Sequence, residues 1–244
     1  ASLRSLLGSV RCVKSTDIPL VHDLPGVGEN LQDHPDALVV HKSLRKDTLS
    51  LAPGALITTG LKGIFNFFYR RNGQLTSNVA EAGGFIKSRP EETIPDLQLH
   101  LTAAKLDNHG LNTLFSMGYG YSAHVCILRP KSRGNITLRD ANPRSPALID
   151  PRFLEHPDDM EGMVRGVKAV RKILAQQALN DWRGEELFPG KDTQSDEEIR
   201  EFLRPKCDNI YHPVGTCKMG SDDMAVALAL IPLCTHPNTS PVEP

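Results

Sequence analysis

Long apolar runs are missing from this sequence. The longest, residues 224–231, falls far short of the roughly 20 residues that a bilayer-spanning helix needs, so no transmembrane segment is expected. An excess of charge is missing too: 28 Lys and Arg stand against 29 Asp and Glu, a formal charge of −1, with the basic residues scattered. Such a balance leaves no electrostatic footprint for nucleic acid or an anionic membrane. Cysteine is sparse. The five at 12, 126, 207, 217 and 234 form an odd set without a Cys-x-x-Cys pair, which points to reduced thiols and a cytoplasmic setting rather than a disulfide framework. The first residues show no basic stretch followed by a long apolar one, so no signal peptide is read there.

Several chemistries lack their motifs as well. Nine His residues are present, but no His-Glu-x-x-His, no zinc-spaced Cys/His pairing and no EF-hand loop accompany them, so no metal site is expected. The nearest approach to a nucleophile elbow, Gly120-Tyr-Ser122-Ala-His124, lacks its closing Gly and leads into a strand-like run. The segment Gly26-Val-Gly28-Glu-Asn30-Leu31 has two of the three glycines of a dinucleotide loop, with Leu31 in the place of the third and no βαβ pattern after it.

What is there is an ordinary globular composition, 39% hydrophobic and 23% charged over 244 residues, enough to bury a core without disulfides or metals. Ile18-Pro-Leu-Val-His22 reads as a strand entering the turn Asp23-Leu-Pro-Gly26. Residues 55–71 carry Leu56, Leu61, Ile64, Phe65, Phe67, Phe68 and Tyr69 near helical spacing, which predicts a buried or half-buried helix closed by Asn72-Gly73. Short strand-like runs follow at 84–86, 97–101, 124–128 and 135–139. In the second, Leu97, Leu99 and Leu101 alternate with Gln98 and His100, the pattern of a strand with one buried face. Together these predict an antiparallel sheet, with Lys131-Ser-Arg-Gly134 as a hairpin connection.

After residue 156 the period becomes helical. Met160, Met163, Val164, Val167, Val170, Ile173 and Leu174 form one apolar stripe of about four turns. A second helix is predicted from Ser195, where Ser195-Asp-Glu-Glu198 is a capping box ahead of Ile199, Phe202 and Leu203. Residues 222–244 contain no Lys or Arg and four Pro, and are expected to be disordered.

His212-Pro-Val-Gly215 suggests a rigid turn displaying an imidazole. Pro213 fixes its own φ and biases His212 away from the α region, and Gly215 lets the backbone pass close to a neighbour. Such a His is either a base or a satisfied structural group. Five stretches stand in a telling order: Leu24-Pro-Gly-Val-Gly-Glu-Asn-Leu-Gln-Asp-His-Pro35, Asn78-Val-Ala-Glu-Ala-Gly-Gly-Phe85, Leu128-Arg-Pro-Lys-Ser-Arg-Gly134, Pro146-Ala-Leu-Ile-Asp-Pro151 and His212-Pro-Val-Gly-Thr-Cys-Lys-Met-Gly220. In that order they resemble the glucose-methanol-choline (GMC) family of flavin oxidoreductases, in its choline and alcohol dehydrogenase branch, over roughly residues 18–226.

The resemblance implies an α+β fold, an antiparallel sheet flanked by helices with partial elements of a flavin domain. It implies residues 1–35 as the flavin-domain junction, 36–205 as the substrate domain, 206–221 as the catalytic His segment and 222–244 as an atypical tail. FAD is the implied cofactor and a small-molecule alcohol the implied substrate. His212 is the implied proton acceptor, Glu81 the implied attractor of a cationic head group, and Asn30, Asp33 and His34 a polar cluster near the flavin. The family's nucleotide-binding Gly-x-Gly-x-x-Gly and its closing segment do not occur, as in a truncated or frame-shifted product. Two alternatives to an active enzyme are therefore a catalytically dead substrate-domain remnant and a binding module that works with a separate flavin subunit.

Overall fold

The apolar stripe of residues 160–174 finds its partner in a sheet. A computed structural model describes residues 24–142 and 144–228. In chain order its elements begin with strand β1 (Pro35–Ser43), helix α1 (Pro53–Phe65) with a π-helical extension (Asn66–Arg70), β2 (Ala80–Ile86), β3 (Leu97–Thr102), a single helical turn (Thr113–Ser116) and β4 (Gly120–Ile127). They continue with β5 (Asn135–Thr137), β6 (Leu148–Asp150), α2 (Pro157–Leu174), β7 (Arg183–Phe188), α3 (Asp196–Lys206), β8 (Asp208–Asn209), β9 (Met219–Gly220) and β10 (Ala227–Leu228). The strand expected at 18–22 and the tail beyond residue 228 lie outside the described residues.

Contacts divide the chain into two units. The larger, Asp33–Ser132 with Phe153–His212, holds the six-stranded sheet in the order β2-β3-β4-β1-β7, with β8 also on β1. Every pair in it is antiparallel. The register sets Ala37, Val39, Leu97, Ala123, Val125 and Ile127 on one face, where they pack with Met163, Val164, Val167 and Val170 of α2 and with Ile199 and Leu203 of α3. Gly166 allows the approach of α2, since a Cβ there would meet Val125 Cγ2 at 2.8 Å. The fold is thus α+β, an antiparallel sheet flanked by helices.

Helix α2 runs over 18 residues, five turns rather than four, because Pro157 extends it one turn ahead of the apolar stripe. At α3 the capping box forms as the sequence indicates: Glu198 N donates to Ser195 Oγ at 3.3 Å and Ser195 N to Glu198 Oε2 at 2.8 Å. Two expectations are corrected. Helix α1 forms, but within its described side chains only Ala55 and Gly63 are buried, while Ile57, Ile64 and Phe65 stand at least half exposed. The segment Lys131–Gly134 does not close a hairpin: β4 pairs with β1 and β3, and β5 pairs with β6. Instead the buried Asp159 carboxylate, in the first turn of α2, accepts from Lys131 N, Ser132 N and Ser132 Oγ and fixes that segment to the helix.

The smaller unit has as its described parts residues 24–32, 133–142, 144–152 and 213–228. It contains the two-stranded β5-β6 ribbon and the parallel pair β9-β10. Within it Leu31 bridges Gly134, and Gln32 and Val214 exchange backbone hydrogen bonds at 2.9 and 2.8 Å.

Candidate functional site

Asp33 and His212 meet in the larger unit although 179 positions separate them in sequence. Asp33 Oδ1 accepts the backbone N–H of His34 at 2.7 Å and that of His212 at 3.0 Å. The pinned backbone leaves the His212 side chain exposed, and its ring makes no hydrogen bond among the described residues. The His34 ring stands edge-on to it, with centroids 5.3 Å apart and planes at 87°. Burial, then the neighbouring His212, hold the His34 pKa below its ordinary value, with Asp33 pulling the other way. His34 Nδ1 is buried without a hydrogen-bond partner among the described residues.

The strand face opposite the core continues this polar group. Period two puts Asp36 and Leu38 of β1, His100 of β3, and Ser122 and His124 of β4 on that face. Asp36 Oδ2 lies 2.7 Å from His124 Nδ1. The rings of His124 and His100 are 6.5 Å apart at 81°, and His100 Nε2 is buried without a partner among the described residues. Burial, then His124, lower the His100 pKa, Asp36 raises it, and His212 lowers it further. Gln98 and His100, expected on a solvent face, are half-buried. Asp36, His100 and His124 were missed as site residues. In β3 and β4 the available signal was a polar residue at every second position, Gln98, His100 and Thr102 in one and Ser122 and His124 in the other, whereas Asp36 of β1 is followed on its face by Leu38 and Val40.

Beside the Asp36–His124 pair lies a cavity of about 320 Å³, bounded further by Leu38, Leu106, Phe188 and Phe202. Lys206 closes one side, bonded to Asp107 at 2.8 Å and set 4.5 Å over the Phe188 ring. Ser122, the serine of the discarded elbow, is fully buried and donates to Ala104 O at 2.7 Å while accepting from Leu106 N at 3.2 Å. It is a loop anchor.

The remaining predicted residues sit elsewhere. Glu81 is exposed on edge strand β2 at a bulge between Ala80 and Ala82, and its carboxylate makes no hydrogen bond or ion pair with another described residue. Asn30 belongs to the smaller unit, at φ +62°, where its side-chain amide donates to Gly215 O at 3.2 Å. Gly215 has φ +97°, and a Cβ on it would lie 2.2 Å from Asn30 O, so both the turn and the close approach demand glycine. The Gly26–Gly28 segment is a turn rather than a phosphate cradle. Gly28 N donates to Thr216 O, and Gly26 packs so closely that a Cβ would meet Met224 O at 2.0 Å.

The fold of the chain, an antiparallel sheet with helices on one face, recurs in solved structures. The chain superposes on pyridoxine 4-oxidase from Mesorbium loti with a TM-score of 0.72 at 23% identity, over 93% of this chain and 40% of that one. It is 43% identical over 220 residues to an alcohol dehydrogenase [acceptor] of Pseudomonas putida, covering 90% of this chain and 39% of the relative. It is 38% identical to an oxygen-dependent choline dehydrogenase of Cronobacter sakazakii, covering 91% and 39%. The chain thus spans about two fifths of the length of the curated relatives it matches. Residues 130–228 match the GMC oxidoreductase family.

Proposed function

We propose that this chain is the substrate side of an FAD-dependent enzyme that oxidises a primary alcohol, choline or another, to an aldehyde, with His212 as the base. The observation that carries the reading is the Asp33 clamp. It fixes the backbone of His212 while leaving the imidazole exposed and without a hydrogen bond to its ring among the described residues, so that a ring nitrogen can accept a hydroxyl proton. When bound, FAD supplies the acceptor for the hydride. Losing the hydroxyl proton to His212 makes the substrate oxygen electron-rich, which favours departure of hydride from its carbon.

The described residues fit one side of such a cofactor. His34 Nδ1, buried and without a partner among the described residues, offers a hydrogen-bonding group beside His212, and Asp33 orders both residues. Asn30 shapes the turn opposite Gly215, and its place in the cofactor-binding set rests on the family resemblance. Glu81, exposed and without an ionic partner among the described residues, is available to a cationic head group. In the domain reading, residues 36–205 serve as the substrate part and 206–221 as the catalytic His segment.

The test is a chimera in which residues 24–228 replace the matching segment of the Pseudomonas putida relative. His212→Ala should lower alcohol turnover by a factor of about 10² or more at nearly unchanged melting temperature. Near-normal turnover would return His212 to a structural role.

A further inference from the structure

We propose that His124, oriented by Asp36, sets specificity by accepting a hydrogen bond from the far end of the alcohol, so that the preferred substrate is a primary alcohol whose other end carries a second hydroxyl or an amine N–H. This rests on the reading of the chain as the substrate side of an alcohol-oxidising enzyme. The geometry behind it is a carboxylate–imidazole pair that uses only one ring nitrogen. Asp36, 4% exposed, places its Oδ2 2.7 Å from His124 Nδ1. In the neutral ring the proton then sits on Nδ1, where the carboxylate holds it, and Nε2 keeps its lone pair. Nε2 makes no hydrogen bond among the described residues, and His124 lines the cavity of about 320 Å³. An acceptor with a fixed tautomer is thus left for whatever fills that space.

The cavity lining says what kind of group that is. Leu38, Leu106, Phe188 and Phe202 give apolar walls suited to a hydrocarbon body. The charged lining is mostly acceptor: Asp36, Asp107 and Asp208 stand against one ammonium, Lys206, which is bonded to Asp107. An anionic end would meet like charge there, whereas a hydrogen-bond donor finds acceptors. A quaternary ammonium end, as in choline, has no N–H to donate. Reach agrees as well. Asp33, which holds the His212 backbone, is three positions from Asp36, at most about 10 Å of extended chain. His100, directly opposite His124 in the register of β3 and β4, lies on the same face. A substrate of that order of length extends from His212 to His124 over a single sheet face.

The experiment compares α,ω-octanediol with its methyl ethers. In the chimera with the Pseudomonas putida relative, kcat/KM for the diol should exceed that for its monomethyl ether by about tenfold, the worth of one hydrogen bond, and should exceed that for choline. His124→Leu and Asp36→Ala should each bring the diol-to-ether ratio near one, through KM for the diol rather than kcat. A merely structural role would change both substrates alike. A binding arm uses the unaltered 244-residue chain, with the His124 signals assigned through His124→Leu. Ring-nitrogen NMR at about pH 8 should show the proton on Nδ1, and the diol should shift Nε2 while its dimethyl ether, which has no donor, should not. A ratio near one in the unsubstituted chimera, a preference for choline, a ratio that survives both substitutions, a proton on Nε2 or an Nε2 indifferent to the diol would overturn the proposal. A chimera that turns over no alcohol would overturn the alcohol reading instead. The Nε2 shift then decides the His124 site by itself, its presence supporting the site and its absence removing it.

Discussion

At the scale of single residues, the site is a set of side chains whose protonation and orientation are governed by neighbours distant in sequence. Asp33 is the clearest case. Replacing it by Ala leaves the amides of His34 and His212 without their acceptor, a loss of about 1–3 kcal/mol measurable by denaturant unfolding. In the chimera Asp33→Ala should also lower turnover, whereas Asp33→Asn, whose side-chain oxygen still accepts both amides, should restore most of it. Failure of Asn to rescue would remove the positioning role. The histidines supply a pH signature with a definite sign. His34 and His100 have folded pKa values below their ordinary 6.5, so the unfolded chain takes up protons first as pH falls. Stability is therefore full above about pH 6.5 and declines as pH drops from there toward the folded values. Carboxylates held low, such as Asp107, withdraw their contribution only below their own ordinary value of 3.8. Melting temperature should fall between about pH 7 and 5, and His100→Gln should flatten part of that fall. An identical slope in the variant would show that His100 is not the group responsible.

At the scale of elements, what could be read in the sequence is what depends on neighbours three or four positions away. The stripe from Met160 to Leu174 and the box Ser195–Glu198 are local patterns, and both helices stand where they indicate. The strand at 97–101 was legible for the same reason, through alternation, and the strand-like run at 124–128 marked the second half of β4. The hairpin reading of Lys131–Gly134 failed because its partner, Asp159, lies 27 or more positions away and leaves no mark on the turn itself. Helix α1 was legible as a helix, but its exposure was not, since apolar spacing says which face is greasy and not what covers it. The polar strand face was overlooked for a related reason: polar alternation looks the same whether it meets solvent or another buried polar group. Two substitutions weigh these local and distant terms. Ser195→Ala should cost about 1 kcal/mol, the ordinary worth of an N-cap. Asp159→Ala strips three donors of a buried acceptor and should cost about 3 kcal/mol or more in urea unfolding. Equal losses would mean that the Lys131–Ser132 segment is held by something other than the carboxylate.

At the scale of the whole molecule, the question is how much of a flavin site the chain can form by itself. A dinucleotide pyrophosphate is held by free backbone N–H groups where a tight glycine turn opens a helix after a strand. No Gly-x-Gly-x-x-Gly occurs in the 244 residues, and the closest segment, Gly26–Gly28, leads into no helix. Its amides are already engaged: Gly28 N bonds Thr216 O at 2.9 Å and Glu29 N bonds Gly26 O at 3.1 Å. Opening that turn to a phosphate would break these bonds and separate Gly26 from Met224, whose backbone it touches. The ring side, around His34 and His212, provides few groups among the described residues to offset the cost of ordering a large anionic ligand. The purified chain should therefore retain no stoichiometric FAD after gel filtration, and its absorption spectrum should lack flavin bands. The chimera with the Pseudomonas putida relative, which supplies the remaining three fifths of the length, should be yellow. A yellow 244-residue chain would show that the pyrophosphate is cradled by residues other than this turn, and would restore the chain to an enzyme in its own right.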